Sequence, residues 1–96
     1  MNSILSKAER EERQIDVAKS LVEPAFYGGD VTRIEGLWTI SLLVPNGNAD
    51  KPGKVSALTF GAAIEAAMAR VVPLRSKADI RRRYRSALRA ASLAPF

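Results

Sequence analysis

The spacing of apolar and polar positions changes along this chain, and each change marks an element. Across residues 6–23 a narrow apolar stripe of Leu5, Ala8, Ile15, Ala18, Leu21 and Val22 recurs at helical spacing, interrupted at Glu11 and Glu12. Ser6 and Glu9 read as a capping box at its start, and Pro24 is expected to end it. The first turns are polar all round and gain a favourable i,i+4 pair from Glu9 and Arg13. Such a helix covers one edge or face of the domain, or meets a partner.

From Val31 the period falls to two. Val31–Ile34 is a short β-prone piece, Glu35-Gly36 a tight turn, and Leu37–Val44 a longer strand that points Trp38, Ile40, Leu42 and Val44 toward the helices. Pro45 stops that strand. Asn46–Lys54 reads as a polar loop with turn signals at Asn46-Gly47 and Pro52-Gly53, and Val55–Phe60 as the returning strand. Ahead of the sheet, Ala25–Asp30 is a connector in which Gly28 and Gly29 supply the turn while Phe26 and Tyr27 plug the core beside it.

Residues 60–91 return to helical spacing as a pair of helices. Phe60–Val72 is apolar almost all round, broken by Glu65 and Arg70, and is expected inside, capped by Thr59 and ended by Pro73. Only Pro73, Leu74 and Arg75 separate it from the next cap, which predicts a tight αα pair. In Ser76–Ala91 a capping box of Ser76 and Asp79 opens a helix with Ile80, Tyr84, Ala87, Leu88 and Ala91 on one side. Arg81, Arg82, Arg85 and Arg89 gather on the other. In the apolar tail Leu93 and Phe96 either fold back onto the core or offer a small anchor.

The expected order is α-β-β-β-α-α. It defines an α+β fold in which a small antiparallel three-stranded sheet, within residues 31–60, packs against a helical layer. The 96 residues form a single domain with a modest core of its own.

Charge is segregated along this framework. Residues 70–96 hold eight basic side chains against Asp79 alone, a net of +7 in a chain of net +5, so residues 1–69 carry −2. Arginine is chosen over lysine there, and its planar fork suits bidentate recognition of phosphate or carboxylate. Arg81, Arg82, Arg85 and Arg89, helped by Arg75, Lys77 and Arg83, are the candidate binding residues for an anionic partner. With no interleaved Glu on that face, an anion is expected to relieve their mutual repulsion. Lys51 and Lys54 in the polar loop are further positions that can touch phosphate.

Composition narrows the chemistry. There is no Cys and no His, which removes disulfides, thiolate chemistry, cysteine-ligated zinc and the commonest general base. No pair of acids stands out as an acid/base dyad, so the chain is expected not to be an enzyme and to use no cofactor or metal. No apolar run reaches the length of a membrane span and the first residues lack signal-peptide order, from which a cytoplasmic protein is expected.

The Trp38 strand, a turn, a strand ending in Leu58-Thr59-Phe60 and a helix with Ala63, Ala66 and Ala67 together resemble the three-stranded sheet and helix of plant AP2 domains and of the arm-binding domains of phage-type integrases. In those families the exposed sheet face grips DNA with several arginines. Here the strands supply Arg33 alone, so that surface is not carried over. The leading expectation is a DNA- or RNA-binding protein whose basic last helix meets the phosphate backbone. A second is a phage- or plasmid-type inhibitor, anti-CRISPR-like, whose helix docks on an acidic surface or nucleic-acid groove of a host machine. A third is a homo-oligomer in which Glu9, Glu11, Glu12 and Asp16 of another copy neutralise the arginines.

Overall fold

A computed structural model of the chain describes residues 6–26, 29–42 and 53–96. Its elements are α1 (Lys7–Ala25), β1 (Gly29–Ile34), β2 (Leu37–Leu42), β3 (Gly53–Ala57), α2 (Phe60–Arg70) and α3 (Lys77–Ala90). The fold is α+β with the expected order, and the antiparallel sheet runs β1-β2-β3. Val31 faces Ile40, which faces Val55 in turn, while Thr32, Thr39 and Ser56 form the neighbouring row. Because strand side chains alternate, this register sends Val31, Trp38, Ile40 and Leu42 into the core and leaves the hydroxyl row outside. α1 packs on β1, α2 on β2 and β3, and α3 against α1. One buried cluster running from Ala18 to Ile80 joins α1, β1, β2, α2 and α3, and Val55 and Ala57 of β3 pack against it.

Each helix begins at the residue its sequence marks. The Ser6 hydroxyl accepts the Glu9 N–H at 3.2 Å, Thr59 accepts that of Ala62 at 3.2 Å, and Ser76 that of Asp79 at 3.1 Å. The helix ends differ from expectation. Pro24 does not stop α1, which continues to Ala25. The ring removes one hydrogen bond, but continuing the turn buries Ala25 and Phe26 and lets the Phe26 N–H reach the Val22 carbonyl at 3.1 Å. Phe26 therefore plugs the core as expected and is closed to base stacking, while Tyr27 lies outside the described residues. α2 ends at Arg70, before the residues Pro73 constrains, with Val71 already extended.

Two packing expectations need correction. α2 is not interior all round: Phe60, Ala63, Ile64, Ala67 and Met68 are buried, while Ala62, Glu65, Ala69 and Arg70 face out. Small side chains read as apolar in the sequence whichever way they point. Nor do α2 and α3 form a tight pair across a three-residue link. Residues 71–76 join them, and the Leu74 N–H ties this connector to the Ala25 carbonyl of α1 at 2.7 Å. Gly53 and Lys54 belong to β3 and not to the loop, with Gly53 opposite Leu42. A side chain at Gly53 would press on Leu42, its Cβ only 3.2 Å away. Val44 and Lys51 lie outside the described residues.

Four aromatic rings join the sheet, α2, α3 and the tail. Phe60 is fully buried, with ring centroids 5.6 Å from Trp38, 5.7 Å from Tyr84 and 5.8 Å from Phe96. Phe96 also stacks on Trp38 at 5.3 Å. The tail reaches this position through a Schellman turn at the end of α3, where Ser92 takes a positive φ and the Leu93 N–H returns to the Leu88 carbonyl at 2.8 Å. It is then clamped: the Phe96 carbonyl accepts the Tyr84 hydroxyl at 2.6 Å and the Gly61 N–H at 3.0 Å. The folded-back tail is thus the alternative the structure adopts. Phe96→Ala is expected to cost about 1–3 kcal/mol in a denaturant melt, less than a fully buried phenylalanine, and to shift Trp38 emission to the red as water reaches the ring.

Candidate functional site: the arginine face of the last helix

The apolar side of α3 fixes which way its arginines point. Ile80 and Leu88 are buried, Tyr84, Ala87 and Ala91 half-buried, as the helical spacing predicts. At about 100° per residue, Arg82, Arg85 and Arg89 lie opposite that side, with Arg81 and Arg83 on its two flanks. The three outward arginines extend over about 10 Å of helix. A shallow hollow at the N-terminal end of this face is lined by Ser76, Ala78, Asp79, Arg82 and Arg85.

The arginines do not form one equivalent cluster. Arg81 turns to α2 and grips Glu65 with two parallel hydrogen bonds, Nε to Oε2 at 2.8 Å and Nη2 to Oε1 at 2.6 Å. Asp79 holds three guanidinium groups: Arg83 at 2.8 Å, Arg75 at 3.9 Å, and Arg82. Its carboxylate is therefore spent on arginines, and the reciprocal half of the expected capping box is replaced by ion pairs. Arg82 nonetheless keeps 72% of its side chain exposed, with donors left over. Among the described residues Lys77, Arg85 and Arg89 have no ion-pair partner. Part of the repulsion that the sequence assigns to an anionic partner is thus relieved internally, by Glu65 and Asp79.

Both acids respond to this field. The hydrogen bond from Arg81 holds the Glu65 carboxyl below its usual range, against a smaller opposing effect of desolvation, with the charges of Arg81 and Lys77 adding to the shift. The hydrogen bond from Arg83 does the same for Asp79, assisted by Arg82. Glu65 in turn raises the Arg81 guanidinium above its ordinary value. Sequence periodicity gives no sign of the Arg81–Glu65 pair, because sixteen residues and a change of helix separate the partners.

The one strand arginine is likewise engaged. Arg33 donates to Gln14 Oε1 at 3.1 Å, approaches Glu11 at 3.7 Å and lies 5.2 Å from the Trp38 ring centroid, packing α1 to the sheet. Lys54 stands on the outer sheet face, away from the α3 arginines. Among the described residues no group of acids is arranged to hold a metal ion, and no helix is long and apolar enough to cross a membrane. Comparison of the chain with protein-family models, with curated proteins and with solved structures finds no match.

The lowered carboxyl values set a pH window. Each acid contributes stability that is complete above its unfolded value, near pH 4, and is lost as pH falls through the lower native value. Glu65→Gln is expected to lower the melting temperature slightly at pH 7, because the pair is half-exposed and screened. The gap between wild type and variant should close as pH falls below about 4, where the native glutamate takes up its proton.

Proposed function

We propose that this chain is a small non-enzymatic nucleic-acid-binding protein whose last helix grips the phosphate backbone. The observation that carries this reading is the outward stripe of Arg82, Arg85 and Arg89 on a helix anchored by Ile80 and Leu88. Two of its three guanidinium groups have no acidic partner among the described residues. The stripe carries little that reads base edges, since Ser86 is its one uncharged polar neighbour on that face, so binding is to backbone and weakly sequence-selective. Arg75, Lys77 and Arg83 reinforce the positive field from the flanks, and Arg81 contributes least because Glu65 occupies its fork. The long connector between α2 and α3 and the docking of α3 on α1 set this arrangement apart from a helix-turn-helix reader.

Fluorescence anisotropy with random-sequence duplex DNA and single-stranded RNA, across about 50 to 200 mM salt, tests the reading. Micromolar or tighter binding that weakens steeply with salt is expected. Arg82→Ala, Arg85→Ala and Arg89→Ala should each weaken binding to unrelated sequences alike and lower the salt slope by about one unit, with a smaller effect for Arg81→Ala. Flat anisotropy at the lowest salt would overturn it and favour the inhibitor reading, in which the same stripe meets an acidic protein surface.

A further inference from the structure

α1 packs on β1, and α2 on β2 and β3, from the side that buries Val31, Trp38 and Ile40, while the described residues of the other side stay wholly or partly exposed. Three cross-strand rows occupy that open face. Asp30, Ser41 and Lys54 form the first, and Thr32, Thr39 and Ser56 the second, where the Thr39 and Ser56 hydroxyls meet at 2.9 Å. Ile34 and Leu37 pair in the third, with Leu58 following Ala57 at the same end of β3. These three residues are 69%, 42% and 80% exposed, which leaves an apolar row in water at the end of the sheet where β1 turns into β2.

The order of charge within the first row decides what fits this face. A twofold axis parallel to β2, passing between two such faces, reverses the strand order but keeps each row at its own level. Ile34 and Leu58 of one copy then lie over Leu58 and Ile34 of the other, and hydroxyl row meets hydroxyl row. Asp30 lies over Lys54 and Lys54 over Asp30. Asp30 uses Oδ1 for the Val31 N–H at 2.9 Å and for Lys19 at 3.7 Å, so Oδ2 remains available to a second cation. We infer that the open sheet face is a self-complementary docking surface for a second copy of this chain, packed sheet on sheet. Aligned sheets stack in this way about 10 Å apart, and a twofold interface requires one patch to be complementary to itself. The helical layers then face outward, so the α3 arginines of the two copies lie on opposite flanks and stay accessible. The inference does not depend on what those arginines bind.

Three strands of about six residues give a face of about 20 by 10 Å, smaller than a stable dimer needs. Association is accordingly weak. Sedimentation equilibrium from about 10 to 500 μM should show the mass rising from 10.4 kDa toward twice that value. Leu58→Asp, at a site exposed in the monomer, should hold the mass at 10.4 kDa with an unchanged thermal melt. Lys54→Asp, which sets like charges opposite Asp30, should weaken association at least tenfold at low salt. A constant mass of 10.4 kDa for the wild type, or a dimer indifferent to either substitution, would overturn the inference.

Discussion

Phe60 sits where the sheet, α2, α3 and the tail converge, and the orientation of the basic helix depends on that convergence. Its ring has Trp38 of β2 on one side and Tyr84 of α3 on another, and Phe96 closes the cluster from the tail. Aromatic side chains carry large apolar area and prefer tilted or edge contacts, so four of them fix relative angles as well as burial. Tyr84 adds a directional constraint, since its hydroxyl both donates to and accepts from the backbone of Phe96. With Tyr84 held and Ile80 and Leu88 buried one turn to either side, α3 has a single rotational setting. In that setting Arg82, Arg85 and Arg89 face outward.

The charge distribution of α3 reflects two roles for one residue type. Arg81 acts across helices, pairing with Glu65 of α2. Arg75, Arg82 and Arg83 share Asp79 at the start of the helix, where an acid also complements the helix dipole. Arg85 and Arg89, in the middle and last turn, have no such partner among the described residues. Exposed ion pairs of this kind add little stability, so the arrangement is better understood as fixing where guanidinium groups point than as holding the fold together. The result is a basic surface with a pre-set geometry and unused hydrogen-bond donors.

Much of this was legible in the sequence, for physical reasons that differ by element. Ser6, Thr59 and Ser76 marked helix starts because a side-chain oxygen followed by a helical run has one efficient use, satisfying a free N–H. β2 was legible because apolar and polar residues alternate from Trp38 to Leu42 and so separate two faces. α3 showed its buried side through large residues at helical spacing. α2 did not, since alanines give no contrast between inside and outside, and its one-sided burial emerges only from contact with the sheet. Pro24 misled because its local cost is outweighed by a tertiary gain, the burial of Ala25 and Phe26. Pro52-Gly53 carries a turn signal, yet β3 needs at position 53 a residue that does not crowd Leu42. At the site, the outward arginines were visible, but the Glu65–Arg81 and Arg33–Gln14 contacts join distant segments and leave no local trace.

The same geometry makes a residue-level demand on any bound nucleic acid. Under the proposed reading, contact begins on the outward turns of α3 and leaves the open sheet face and the aromatic cluster undisturbed. The most direct measurement is a nitrogen–proton correlation spectrum of the labelled protein during titration with a short random-sequence duplex. Shifts confined to the amides of residues 82–89 and the arginine side chains of Arg82, Arg85 and Arg89 are the predicted result. Perturbations centred on Thr32, Thr39 and Ser56, or a spectrum unchanged at saturating duplex, would contradict it.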